Sequence, residues 1–169
     1  MNRKKNFSRR SSTKAIIKLL GNFMASVSTV TAQTYVCNIT YHPLQFPAPA
    51  GNTATYAFSP PLPAAGLNPG DHLHFTIHPA SDVRTPGKLD QAVLVAGYKD
   101  ANVSMESSPF HNDANNIDIH SFPTLTIGKR PGRWGFTVVF SITAPAIDPG
   151  KTSTHFYYLP DPEVIVRPQ

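Results

Sequence analysis

From Arg133 to Thr143 the chain reads R-W-G-F-T-V-V-F-S-I-T. Trp134, Phe136, Val138, Phe140 and Ile142 fall on one side of an extended backbone. Arg133, Gly135, Thr137, Val139, Ser141 and Thr143 fall on the other. Side chains of a strand alternate between its faces, so this period-two run predicts a strand with one face in a core. Burying five such side chains is worth roughly 1.5–3 kcal/mol each. Ordering the backbone costs about 1–2 kcal/mol per residue. The strand therefore needs a second layer.

The rest of the body supplies strands of the same kind. In Thr34–His42, Tyr35, Cys37, Ile39 and Tyr41 alternate with polar or smaller residues. Asn52–Ser59 is a weaker strand carrying Tyr56 and Phe58. The turn Asn68-Pro69-Gly70-Asp71 launches His72–His78, with Leu73, Phe75 and Ile77 inward and His72, His74 and Thr76 outward. Ala92–Tyr98 is nearly continuous apolar, which predicts an interior strand covered on both faces. Ile117–Ile119 and Leu125–Ile127 are short strand candidates. In His155–Leu159, Phe156 and Tyr158 share one side and Tyr157 and Leu159 the other. This strand is expected to pair with Arg133–Thr143 as a C-terminal hairpin. A kink at Asp161-Pro162 then leads to a last strand, Glu163–Arg167. Short strands, turn chemistry between them and no amphipathic helix of useful length predict an all-β fold. It is expected to be an antiparallel two-sheet β-sandwich, immunoglobulin-like, over residues 33–169. The 17 prolines should lie in loops, bulges and edges, since proline donates nothing to a ladder.

Charge changes the picture mainly by its distribution. The formal net charge is +5. Yet Arg3, Lys4, Lys5, Arg9, Arg10, Lys14 and Lys18 all precede Met24, and the first acid is Asp71. The body is left with a small negative balance and scattered basic residues, apart from Lys129, Arg130 and Arg133. That distribution speaks against a nucleic-acid-binding face. Residues 1–32 form a basic leader with two open readings. One is an export signal: Leu19–Ala32 is moderately apolar, Val30-Thr31-Ala32 has the small-residue spacing of a cleavage site, and Ser8-Arg9-Arg10 resembles part of a twin-arginine motif. The other is a start before the native one at Met24, or a plain tail. Lys18, Gly21 and Asn22 dilute the apolar run, and it is too short and polar to span a bilayer. Membrane insertion is not expected. A cytoplasmic location is the first expectation, and export to the periplasm or medium the alternative.

Candidate chemistry is sparse. Cys37 is the single cysteine, so neither an intrachain disulfide nor a multi-cysteine metal site is open to this chain. His72 and His74, with His78 nearby, share the outward face of one strand, and such a pair can hold Zn²⁺, Cu²⁺ or Ni²⁺. Surface histidines are the plainer reading. Asn112, Asp113, Asn115, Asn116 and Asp118, between His111 and His120, make an oxygen-rich loop. Ile117 breaks the calcium-loop pattern, and turn formation accounts for the cluster. No nucleophile elbow and no suggestive carboxylate pair occur. Trp134, Phe156, Tyr157 and Tyr158 are candidates for a sugar platform, although the period places Trp134 in the core. Asn38-Ile39-Thr40 and Asn102-Val103-Ser104 are sequons, meaningful only in a eukaryotic secretory route.

Towards the C-terminus, R-W-G-F-T-V-V-F-S-I followed by H-F-Y-Y-L-P-D-P-E-V-I-V-R-P is similar to the small bacterial DP-EP family. It is more loosely similar to the inclusion-body protein family. The likeness covers the stretch from Arg133 onward. Asp161-Pro162-Glu163 is present, but Val164 follows Glu163 where the second dipeptide of the family's name requires proline. The resemblance implies a β-sandwich and brings no catalytic or binding residue.

The expectation is therefore a non-enzymatic structural or interaction module. It takes no cofactor and engages a second copy of itself, through an exposed edge strand, or another protein. The alternative is an exported metal- or carbohydrate-binding domain.

Overall fold

The computed structural model describes residues 31–42, 52–81, 87–99, 108–111, 114–146, 148–159 and 162–169. The leader through Val30, Asn102-Val103-Ser104, Asn112, Asp113 and Asp161 lie outside the described residues. A compact unit spans Ala32–Gln169. Its described residues form nine strands and no α-helix: β1 (Thr34–Tyr41), β2 (Asn52–Ser59), β3 (His72–Pro79), β4 (Lys88–Tyr98), β5 (Asn116–Asp118), β6 (Thr124–Thr126), β7 (Gly132–Pro145), β8 (Thr152–Leu159) and β9 (Glu163–Val166).

The strands make the two-sheet sandwich that the alternation predicts. The strands follow one hydrogen-bonded path, β5-β4-β7-β8-β2-β1-β3-β6, whose β2-β1-β3-β6 part is the first sheet and whose β5-β4-β7-β8 part is the second. The expected hairpin forms, with Val139 opposite Tyr158 and Phe140 opposite Tyr157. β9 then pairs with the other half of the same side of β7, placing Trp134 opposite Val164. One long strand thus carries β4 along one side, and β8 and β9 in succession along the other. Most pairs are antiparallel, but β1 and β3 run parallel, with Cys37 opposite Phe75. The first sheet is therefore mixed, because the chain leaves β2 by a long connection and re-enters beside β1. β2 also touches both sheets. Asn52 and Thr53 pair parallel with Tyr157 and Tyr158 of β8, while Ala54–Ser59 pair with β1.

The inward positions of both sheets fill the core. All five apolar residues of the β7 stripe are buried, as are Tyr35, Cys37, Ile39 and Tyr41 of β1 and Leu73 and Phe75 of β3. Aromatic contacts join the two layers. Phe75 meets Phe136 edge-on at 5.7 Å between ring centres, and Tyr41 meets Phe140 at 5.9 Å. Within the second sheet, Tyr157 lies flat on its cross-strand neighbour Phe140 at 5.1 Å. Ring pairs in these geometries add about 0.5–1.5 kcal/mol beyond their buried area.

Asp71 anchors the start of β3. It is fully buried, and its carboxylate accepts the backbone N–H of Gln33 at 3.0 Å and of Asn68 at 2.8 Å. The Asn68–Asp71 turn is thereby tied to the entry of β1. The two bonds satisfy a charge that would otherwise be costly to bury.

β4 departs from expectation. It is interior to its sheet, between β5 and β7, yet only one face is covered. Ala92, Leu94 and Ala96 point into the core, whereas Val95 is exposed. A continuous apolar run reports that both sets of side chains are apolar. It does not report that a layer lies over each.

Candidate functional site

The core claims several of the candidate residues. Cys37 sits on the inward face of β1 with no surface exposed. Burial pushes its thiol up to about 12, far from the reactive range. Trp134 and Tyr157 are buried, so neither can serve as a sugar platform. Asp118 caps the turn after β5, its Oδ1 accepting the N–H of His120 at 3.0 Å and of Ser121 at 3.1 Å. Bonds from Ser121 and His120 hold its carboxyl below the usual range. That role explains Asp118 without calcium. Asn38 of the first sequon lies on β1 and accepts the Thr76 hydroxyl at 3.0 Å.

Arg133, from the basic trio, is engaged as well. Glu163 on β9 accepts Lys99 Nζ at 2.6 Å through one oxygen and Arg133 at 2.7 Å through the other. Hydrogen bonds from Lys99, then from Arg133, hold the Glu163 carboxyl down to about 2. The pairing stitches β9 and the end of β4 to β7.

Two outward faces remain. On the first sheet, β3 presents His72 and His74 and β6 presents Thr126 and Thr124, each threonine directly opposite a histidine. His72 Nδ1 lies 3.1 Å from Thr126 Oγ1, and His74 Nδ1 lies 2.7 Å from Thr124 Oγ1. His78 is exposed at the far end of the same strand. Among the described residues, no three His, Cys, Asp or Glu side chains gather as metal ligands.

On the second sheet, the rows across β4, β7 and β8 read Val93–Val139–Tyr158 and Gln91–Ser141–Phe156, with Val95 two residues beyond Val93. Large apolar side chains stand open here: Phe156 is 66% exposed, Val95 47%, Val139 41% and Tyr158 38%. Together they expose apolar surface on the order of 300–400 Å², comparable to the largest patch on an ordinary monomer, which is often functional. Threonines frame it, with Thr143 bonded to Asp90 at 2.5 Å and lying 2.7 Å from Thr154. Alternation alone places Val139, Phe156 and Tyr158 outward. Their clustering depends on the β4–β7–β8 register, and the available signal was the excess of β-branched and aromatic residues at outward positions.

No family model matches the chain, and neither a curated protein nor a solved structure matches it.

Proposed function

We propose that this chain is a non-enzymatic interaction module that associates with a second copy of itself through the outer face of its second sheet. The observation that supports this reading is the open patch of Val95, Val139, Phe156 and Tyr158 on three adjacent strands. Three strands at about 4.8 Å and about eight residues at 3.3–3.4 Å give a footprint on the order of 400 Å² in plan. That is about half of the roughly 800 Å² per partner of a standard interface, the size of a weak, reversible contact. A two-fold axis sets the same patch against itself, and two sheets pack face to face at about −30°. Lys88, Asp90 and Asp118 form a charged margin to the patch.

The test is sedimentation equilibrium of the full chain beside Val139→Lys and Phe156→Ser. A dimer that dissociates at least a hundredfold more readily in Val139→Lys is expected, since a two-fold interface buries two like charges at once. A wild-type chain that stays monomeric, or a dimer indifferent to both substitutions, sinks the reading.

A second reading places a sugar on the same face. Phe156 and Tyr158 stand two residues apart on one side of β8, about 7 Å from each other. It predicts oligosaccharide binding that Phe156→Ala abolishes while the oligomeric state is unchanged.

An immunoglobulin-like description and membership of the DP-EP family belong to the same proposal. The first rests on many short strands in two facing sheets, and the second on the hairpin residues from Arg133 onward. Cytoplasmic residence also belongs to it. Mass spectrometry of the native N-terminus tests that point, because a chain beginning at Gln33 would indicate export.

A further inference from the structure

We propose that His72 and His74 form a two-imidazole site for a late divalent transition-metal ion, Cu²⁺ foremost, on the outer face of the first sheet. The face opposes the one assigned to self-association, so the two proposals stand apart. Residues i and i+2 of a strand lie about 6.6–6.8 Å apart and project in the same direction. A shared ion about 2.0–2.1 Å from each ring nitrogen requires the two rings to lean together from that spacing, against their separate threonine tethers.

The sequence His-Leu-His of β3 faces Thr-Leu-Thr of β6 in direct register. Each ring is held through Nδ1 by the opposing threonine hydroxyl. In the tautomer whose Nδ1–H donates to the threonine oxygen, Nε2 keeps the lone pair that binds a metal. Both rings carry the same tether on the β6 side, so both offer Nε2 as the ligand. The described neighbours in these two rows, Thr34 and Val36 of β1, add no charge. A site of imidazoles without carboxylates selects Cu²⁺, Ni²⁺ and Zn²⁺ over Mg²⁺ and Ca²⁺, and the order of divalent affinities puts Cu²⁺ first. Water completes the coordination.

The experiment is calorimetric titration of the full chain with Cu²⁺ in a non-coordinating buffer. It is paired with NMR of the histidine ring signals at substoichiometric Cu²⁺. One equivalent should bind, and the paramagnetic ion should broaden the signals of His72 and His74 before those of the other five histidines. His72→Gln and His74→Gln should each weaken binding at least tenfold, and His120→Gln should leave it unchanged. Wild-type affinity retained in His74→Gln, or broadening that begins at another histidine, overturns the proposal. So does a wild-type chain that binds no more tightly than the double variant. The NMR measurement needs no substitution, so a poorly folded variant cannot decide the matter.

Discussion

The ring of Tyr98 lies directly over Gly132, so a methyl group at position 132 would collide with the ring and its hydroxyl. Gly132 opens β7 with φ at 134°, a conformation that other residues rarely adopt. Tyr98 in turn packs edge-on against Trp134 at 4.7 Å between ring centres. Gly132→Ala is expected to destabilise the fold by about 2–4 kcal/mol, from backbone strain and overpacking together. Urea denaturation measures it. In a Tyr98→Leu background the steric part should fall away and a cost of about 1–2 kcal/mol remain.

Asp71 gives the second prediction. Asp71→Ala strands two part-buried backbone N–H groups, of Gln33 and Asn68. The expected loss is about 2–4 kcal/mol, a fall of roughly 10 °C in Tm. Thermal unfolding followed by circular dichroism checks it. Asp71→Ala with wild-type Tm would remove the anchoring role.

How far such features can be read from the chain differs by kind. The inward stripe of β7, the inward Leu73 and Phe75 of β3, and the split of Phe156 from Tyr157 on β8 all follow from local alternation. The parallel pairing of β1 with β3 does not, since it joins segments separated by a long connection. The same limit hides the histidine–threonine ladder. His72 and His74 are legibly outward, but their partners Thr126 and Thr124 are set by a register between distant segments. The apolar face of the second sheet was obscured for another reason. The apolar run Ala92–Tyr98 predicts cover on both faces, because pattern records polarity and not the presence of an overlying layer.

Glu163 carries the pH prediction. Its folded value near 2 lies below the ordinary carboxylate value of 4.5. The unfolded chain therefore takes up a proton first as the pH falls. The contribution of Glu163 is fully present above about pH 4.5 and is lost as the pH drops through about 2. Thermal melts across that window should lose stability less steeply in Glu163→Gln than in wild type. Added salt should narrow the difference, because Lys99, Arg133 and Glu163 all reach solvent.

Cys37 should behave as an inert thiol. With its pKa pushed up to about 12 and no exposed surface, it should not react with a disulfide reagent at pH 8 in the native state. In denaturant, one thiol per chain should react at once. Rapid native-state labelling would contradict its placement on the inner face of β1.

The double pairing of β2 bears on how the protein is made. Asn52 and Thr53 wait for Tyr157 and Tyr158, and Leu67 waits for Val166, each about a hundred residues later in the chain. At about 5–20 residues per second of synthesis, these N-terminal segments spend roughly 5–20 seconds without their partners. The nascent chain must therefore hold β2 and Leu67 without these partners until residues 157–166 emerge. During that interval a ribosome-associated chaperone has the most to protect.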